Sequence, residues 1–216
     1  ISIGLDDLWR SEMVRALNLS GKSSIASSPL KVLDVSTGTG DVAITVAKSI
    51  DSVQIYGIDP SEKMLLIGTD KVKSWNFTNR VTLTQGVAEK LDFESDSFDV
   101  IFVAFGVRNF EDRKKGLSEM SRVVKPSESA SIAILELSEP QDEGIFSRLA
   151  QFFVHQLVPF VGGIISGKPD DYKYLASSMG AFPQPEEFES LLNSANLQLV
   201  SHQRLAPFEC GPNLYL

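Results

Sequence analysis

Two glycines and an aspartate have the types and the spacing that bind a nucleoside. Gly38 and Gly40 lie in the run Ser36-Thr37-Gly38-Thr39-Gly40, and glycine accepts positive φ angles and lets a ligand approach the backbone. Asp59 follows Gly40 by the interval expected of a carboxylate that accepts hydrogen bonds from both ribose hydroxyls. We therefore predict a site for a nucleoside-bearing ligand. The alternatives are a tight turn without a ligand and, for Asp59, a helix cap.

These candidate residues lie at junctions between predicted strands and helices. Residues 32–35 predict a buried strand before the glycine turn, and residues 42–50 predict a helix after it, because apolar side chains recur at helical spacing. Asp59 ends a second predicted strand, over 53–58, and Ser61 is expected to cap the helix that follows.

The rest of the chain continues this alternation. Strands are predicted at 81–83, 98–105 and 131–137, helices at 6–19, 112–124 and 185–196, a loop at 20–29, and a closing hairpin over 197–205 and 208–216. Strands that alternate with helices predict an α/β sheet with crossover connections. In such sheets the ligand binds beyond the carboxyl ends of the strands, where the glycine turn, Asp59 and Ala104 would meet.

Composition excludes several classes of function. The 216 residues carry a net charge of −8, which argues against binding to nucleic-acid phosphates and against a polybasic membrane anchor. One cysteine excludes an internal disulfide, and with two distant histidines no metal site is predicted. A reducing intracellular compartment fits this cysteine content. The length predicts one domain, and no apolar run is long enough to span a bilayer.

Two classes of ligand fit the glycine turn. Gly38-x-Gly40-x-x-Ala43 satisfies the loose dinucleotide pattern, so a nicotinamide or flavin enzyme is one candidate. Asp41 disfavours it, because a carboxylate at the helix N-terminus opposes a pyrophosphate. S-adenosylmethionine carries an ammonium and a sulfonium, so the acidic site suits it better.

Longer motifs carry a family resemblance. The run Leu33-Asp34-Val35-Ser36-Thr37-Gly38-Thr39-Gly40-Asp41 resembles the first motif of class I S-adenosylmethionine-dependent methyltransferases. The run Phe105-Gly106-Val107-Arg108-Asn109-Phe110, with residues 115–117 and 122–126, resembles the ubiquinone/menaquinone biosynthesis C-methyltransferase family. Agreement extends to Ser2-x-Gly4-x-Asp6-x-x-Trp9-Arg10 and to Asp171-Tyr172-x-Tyr174-Leu175-x-x-Ser178. The resemblance covers nearly the whole chain and implies a family segment before Ile1.

The resemblance implies a fold and a division of the chain. The fold is α/β, three-layer and Rossmann-like, with a seven-stranded, mostly parallel sheet in the order 3-2-1-4-5-7-6, the last strand antiparallel, and helices on both faces. Residues 1–216 form a single methyltransferase domain. Its parts are an N-terminal helix and loop (1–29), a cofactor-binding core (30–137), an apolar substrate-lid insertion (138–184), and a C-terminal helix and hairpin (185–216).

The cofactor implied by the resemblance is S-adenosyl-L-methionine. Residues matching the family's cofactor-binding positions are Ser36, Gly38, Thr39, Gly40, Asp59, Pro60, Met64, Val87, Ala88 and Ala104. Two of them depart from the family pattern. Relatives usually have Asp or Asn at Val87 and often serine at Ala104, so adenine contact at Val87 would use backbone groups.

The implied reaction methylates a ring carbon of a polyprenylated quinol, in menaquinone or ubiquinone biosynthesis. Arg108 is the predicted catalytic residue, because a guanidinium near the ring oxygen would stabilise the developing phenolate. Asn109 could orient the same oxygen. A structural bridge from Arg108 to Asp99 or Asp112 is the alternative. The candidates for contact with the substrate are Phe105, Tyr172 and His155.

The apolar insertion suggests further partners. A lid over an isoprenoid tail explains its composition, and the same surface could contact the bilayer, so a peripheral membrane contact and a homodimer are the remaining partner predictions. The expected location is the cytoplasm, at the inner face of the membrane, or the mitochondrial matrix side in a eukaryote. The rival functions are a methyltransferase for another small molecule and a non-catalytic cofactor-binding member of a quinone-synthesis assembly. The losses at Val87 and Ala104 suggest the second.

Overall fold

The computed structural model describes residues 5–25, 28–138, 178, 180, 182–205 and 211–216, and helices and strands alternate along most of them. The described helices are α1 (Leu5–Ala16), α2 (Leu19–Ile25), α3 (Asp41–Ser49), α4 (Glu62–Ser74), α5 (Arg113–Val123) and α6 (Pro185–Ser194), with a 3-10 turn at Val107–Asn109. The described strands are β1 (Leu30–Val35), β2 (Val53–Asp59), β3 (Val81–Gln85), β4 (Val100–Ala104), β5 (Ser131–Glu136), β6 (His202–Arg204) and β7 (Asn213–Tyr215).

The seven described strands form one sheet in the order β3-β2-β1-β4-β5-β7-β6. Strands β1 to β5 run parallel to one another, and β7 runs antiparallel to both β5 and β6. The predicted strand order is therefore confirmed. The predicted closing hairpin is also present, with strands of three residues each.

The central strands are buried on both faces, which explains their nearly continuous apolar sequences. Val32 and Phe102 belong to one core cluster, with residues of α1 and α3, and each is fully buried. Leu33 and Ile101 point to the opposite face and pack with residues of α5 and α6. Since helices cover both faces of the sheet, the open positions for a binding site are at the strand ends.

The segment before β1 corrects the sequence prediction. A helix over 6–19 followed by a serine-rich loop was expected, but Asn18 adopts a φ of 45° and separates two helices, α1 and α2. Leu19 is buried, and the ammonium of Lys22 donates to the carbonyl oxygen of Ser129 and to Oγ of Ser131. Contacts from elsewhere in the fold thus stabilise a helix whose own sequence is a poor helix former.

Among the described residues, no helix combines the length and the apolar character that crossing a bilayer requires.

Candidate functional site

A cavity of about 260 Å³ lies at the carboxyl ends of β1, β2 and β4. Its described lining includes eight of the predicted site residues: Ser36, Gly38, Thr39, Asp59, Met64, Ala104, Phe105 and Asn109. Side chains from the helices complete it, with Arg10 on α1, Val42 on α3 and Met64 on α4. The structure therefore brings predicted site residues that are far apart in the chain together in one continuous cavity.

The glycine turn has the backbone conformation that its sequence predicted. Gly38 and Gly40 adopt φ angles of 56° and 76°, in the left-handed region that glycine enters without strain. Ser36 and Phe105 also lie in this region, with φ angles of 56° and 59°, although both carry a Cβ. Such conformations cost energy and often mark functional sites. The strained residues here follow the neighbouring strands β1 and β4.

Asp59 holds the glycine turn against the end of β2. Its Oδ2 accepts a hydrogen bond from the backbone N–H of Gly38 at 2.9 Å, and its Oδ1 accepts one from Ser61, also at 2.9 Å. Ser61 supplies the side-chain cap of α4, by accepting from the N–H of Met64. Each carboxylate oxygen keeps a second lone pair, so Asp59 can still accept from ribose hydroxyls.

Asp34 is a candidate site residue that sequence reasoning passed over. It is 1% exposed, and its Oδ2 accepts from Oγ1 of Thr37 at 2.5 Å and from the N–H of Ala43 at 3.2 Å. Burial raises the pKa of Asp34 to about 7, although those two hydrogen bonds and the charge of Arg10 oppose the rise. The sequence signal that could have identified Asp34 as a site residue is an acidic side chain between the apolar residues Leu33 and Val35 of a buried strand.

Asp41 does not have the free carboxylate that its sequence position suggested. The ammonium of Lys71 lies 2.7 Å from Oδ1 of Asp41, and it also donates to Oγ1 of Thr39 at 2.7 Å. Helix α4 brings Lys71 there because Gly68 packs on the turn, where an added Cβ would lie 3.1 Å from the carbonyl carbon of Thr39. The cation that we expected from a ligand is therefore supplied by the protein.

Arg108 pairs with a buried carboxylate beside the cavity. Its Nη1 donates to Oε1 of Glu136, and its backbone N–H donates to Oε2 at 3.1 Å. Glu136 is fully buried, and burial raises its pKa despite the attraction of Arg108. The alternative of a structural bridge from Arg108 is found with a partner other than Asp99 or Asp112, because Asp99 pairs with Lys125 and Asp112 caps α5.

Arg108 and Asn109 share the 3-10 turn but differ in position. Asn109 lines the cavity, whereas Arg108 is not among its described lining residues and has a side chain only 11% exposed. Within the described ranges, Nε of Arg108 is buried and has no hydrogen-bond partner. One of its donors therefore has no described acceptor.

The other predicted site residues lie apart from the cavity lining or outside the described residues. Val87 is 45% exposed and Ala88 is buried, in a turn where Val87 bridges to Lys90. The substrate candidates His155 and Tyr172 lie outside the described residues. In the described part of the chain, no three His, Cys, Asp or Glu side chains form a group that could hold a metal.

Comparisons with known proteins agree with this geometry. Residues 1–209 match the ubiE/COQ5 methyltransferase family. The chain is 39% identical to the ubiquinone/menaquinone biosynthesis C-methyltransferase UbiE of Geobacter sulfurreducens, over 94% of this chain and 75% of that protein. It is also 39% identical to the demethylmenaquinone methyltransferase of Porphyromonas gingivalis, over 95% of this chain and 80% of that protein.

Solved structures share the fold at low sequence identity. A SAM-dependent methyltransferase from Aquifex aeolicus is 18% identical, with a TM-score of 0.61 over 91% of this chain and 86% of that one. The phosphoethanolamine N-methyltransferase 2 of Haemonchus contortus, in complex with S-adenosyl-L-methionine, is 19% identical, with a TM-score of 0.59 over 86% of this chain and 37% of that one.

Proposed function

Because the chain belongs to the ubiE/COQ5 methyltransferase family, we propose that it transfers a methyl group from S-adenosyl-L-methionine to a ring carbon of a polyprenylated quinol, in menaquinone or ubiquinone biosynthesis. The observation that carries the proposal is the binding of Asp59 to the glycine turn within one cavity at the strand ends. The names of these relatives support the substrate class, since they include a demethylmenaquinone methyltransferase.

The residues around the cavity fit this cofactor. Asp59 would accept hydrogen bonds from the ribose hydroxyls. Gly38 adopts a left-handed φ and has no Cβ; an added Cβ there would lie 3.5 Å from Cε of Met64. Met64 is 40% exposed and would cover one face of the adenine. Val87 has no polar side-chain atom, so the adenine amine would be bound by backbone carbonyls near Pro60 or Ala88.

The chemistry needs alignment and one proton acceptor. When bound, S-adenosylmethionine supplies a methyl group on a sulfonium, which a nucleophilic carbon takes in line. The ring hydroxyl of the quinol loses its proton, and the adjacent carbon forms the new C–C bond as the bond from sulfur to the methyl group breaks. That carbon then loses its hydrogen as a proton, and the ring oxygen regains a proton. The products are the methylated quinol, S-adenosylhomocysteine and one proton overall. The protein must therefore hold two reactants together and stabilise a phenolate.

Arg108 is the proposed source of that stabilisation, with Asn109 orienting the same ring oxygen. Glu136 fixes the Arg108 backbone and one guanidinium nitrogen, and Nε is the donor for which no described partner exists. A guanidinium keeps its charge at every working pH, so it suits an oxyanion better than a lysine would. If Arg108 acts in this way, Arg108→Lys should lower kcat by roughly 100-fold and leave cofactor affinity within a factor of about two.

We propose that residues 138–184 form the lid over the substrate, with Phe105, His155 and Tyr172 contacting the quinol ring. The core that binds the cofactor would then be residues 30–137 of a single domain. A peripheral contact with the bilayer and a homodimer are parts of the same proposal. Flotation with neutral vesicles tests the membrane contact, and sedimentation equilibrium tests the dimer.

The function itself is tested by methyl transfer. The protein is incubated with S-adenosylmethionine labelled in its methyl group and with demethylmenaquinol or the demethylated benzoquinol. Label in the ring of one of these quinols is the expected result. Tight S-adenosylmethionine binding without transfer to either quinol would instead favour another small-molecule substrate or a non-catalytic role. Binding of NADH in place of S-adenosylmethionine would refute the methyltransferase proposal.

A further inference from the structure

Arg10 is held at the cavity by the packing of α1. The neighbouring Trp9 meets Phe105 edge to face, with ring centroids 6.3 Å apart, and Phe105 directly follows β4. Met13 and Val14 anchor the same helix in the core, at 0% and 5% exposure. The side chain of Arg10 is only 17% exposed as a result and lines the cavity together with Asp34 and Phe105.

The charges around the cavity make Arg10 distinctive. Among the described residues of the lining, Arg10 alone carries a positive charge, while Asp34, Asp41 and Asp59 are acids. Asp41 is already paired with a lysine, and Asp59 accepts from two backbone N–H groups.

The guanidinium of Arg10 retains donors for a ligand. Its Nη1 lies 3.0 Å from a carboxylate oxygen of Asp6 and 3.0 Å from one of Asp7, on the same helix. Neither of these ion pairs uses Nε or Nη2. A planar guanidinium with two donors on one edge can bind a carboxylate through two parallel hydrogen bonds.

We propose that Arg10 binds the α-carboxylate of the methionine part of S-adenosylmethionine; this rests on the proposed function. Asp59, the proposed ribose ligand, ends β2, whereas α1 contacts the end of β4, two strands away. Two strand spacings are about 10 Å, so the nucleoside and the amino acid would occupy different parts of one cavity. The methionine carboxylate carries the negative charge of the cofactor, and Arg10 offers it the matching charge.

Decarboxylated S-adenosylmethionine tests this assignment, because it lacks only the carboxylate. Calorimetric titration of the wild-type chain should show roughly 10- to 100-fold tighter binding of S-adenosylmethionine than of the decarboxylated analogue, the range expected for hydrogen bonds to a charged group. Arg10→Ala should weaken S-adenosylmethionine binding by a similar factor and bind the two compounds nearly equally. Arg10→Lys should keep part of the preference.

Matched controls separate this role from a structural one. Arg15 lies on the same helix in an exposed ion pair with Glu12, so Arg15→Ala should change neither affinity. If Arg10→Ala weakened both compounds by the same factor, Arg10 would act on the fold of α1 and the proposal would be wrong. If the wild-type chain bound neither compound, the proposed function would fail first, and the two failures are therefore distinguishable.

Discussion

Replacing Gly106 by alanine should disturb the floor of the cavity without straining the backbone. Gly106 has a φ of −109° and a ψ of −35°, which alanine adopts readily. The space is the obstacle, since an added Cβ would lie 2.5 Å from Cβ of Ser36, 2.8 Å from its Oγ and 3.1 Å from Cγ1 of Val103. Because carbon atoms prefer separations of about 3.5 Å or more, Ser36 would have to move by about 1 Å.

We expect Gly106→Ala to lower the free energy of unfolding by about 2 kcal/mol, the typical cost of overpacking a buried site. Ser36 lines the cavity, so cofactor affinity should fall as well. Ser36→Gly should restore the free energy of unfolding in the double variant, because it removes the two closest atoms. Glycine also relieves the left-handed strain at Ser36, whose φ is 56°, by about 1 kcal/mol.

The assay is a double-mutant cycle of urea unfolding and calorimetric titration with S-adenosylmethionine. The coupling between Gly106→Ala and Ser36→Gly should exceed about 1 kcal/mol in favour of the pair. Ser36→Ala is the matched control, since it keeps the Cβ that collides and should not restore stability. Additive effects within about 0.5 kcal/mol would refute the steric reasoning.

Three further predictions follow from buried or capping carboxylates. Burial raises the pKa of Asp34 from 3.8 to about 7, so the folded chain keeps a proton that the unfolded chain has lost. The free energy of unfolding should therefore fall by up to about 4 kcal/mol as pH rises from about 4 to 7. Asp34→Asn should flatten this pH dependence in urea titrations. An equal dependence on pH in the wild-type chain and in the variant would contradict the prediction. Glu136→Gln should cost about 3 kcal/mol of stability, because it leaves the guanidinium of Arg108 without its countercharge; an unchanged urea midpoint would count against the buried pair. Asp112→Ala should cost about 1 kcal/mol through the lost cap of α5, with methyl transfer unchanged; a lower kcat would mean that Asp112 contributes to the site.

The sequence predicted the elements around the cavity because their signals are local. The apolar run at residues 100–104 indicates a strand that is buried on both faces, and the capping residue Ser61 indicates the start of α4. The class of ligand, a nucleoside-bearing molecule, was predicted from side chains whose chemistry follows from their type, such as Asp59, whereas S-adenosylmethionine was named by the family resemblance. Strand order was different, because only the family resemblance supplied the antiparallel position of β7.

The failures of sequence reasoning arise where a partner is distant in the chain. Asp41 appeared free because Lys71 lies 30 residues away and reaches it only across the turn. The alternative for Arg108 named Asp99 and Asp112 and did not include Glu136, which lies at the end of a buried strand 28 residues away. Helix α2 was not predicted for the same reason, since its stabilising contacts come from Ser129, before β5, and from Ser131, the first residue of β5.

The strain at the cavity is balanced by hydrogen bonds that extend the sheet beyond its strands. Val35 and Val103 are partners in the register of β1 and β4, and the left-handed Ser36 and Phe105 follow closely behind them. The N–H of Phe105 donates to the carbonyl of Leu135 at 2.7 Å, which fixes this residue in place.

On the β1 side, the N–H of Thr37, the residue after Ser36, donates to the carbonyl of Ile58 at 2.9 Å. Hydrogen bonds within the protein thereby hold two adjacent chain reversals at the same level of the sheet. A cofactor that enters such a site does not have to order the backbone itself, and this preorganisation lowers the entropy cost of binding. It follows that Ser36→Gly alone should make the fold no less stable and yet weaken S-adenosylmethionine binding, because the relaxed turn must be ordered again by the ligand. Equal or tighter cofactor binding by Ser36→Gly would show that the strain at this strand end has no part in the function of the site.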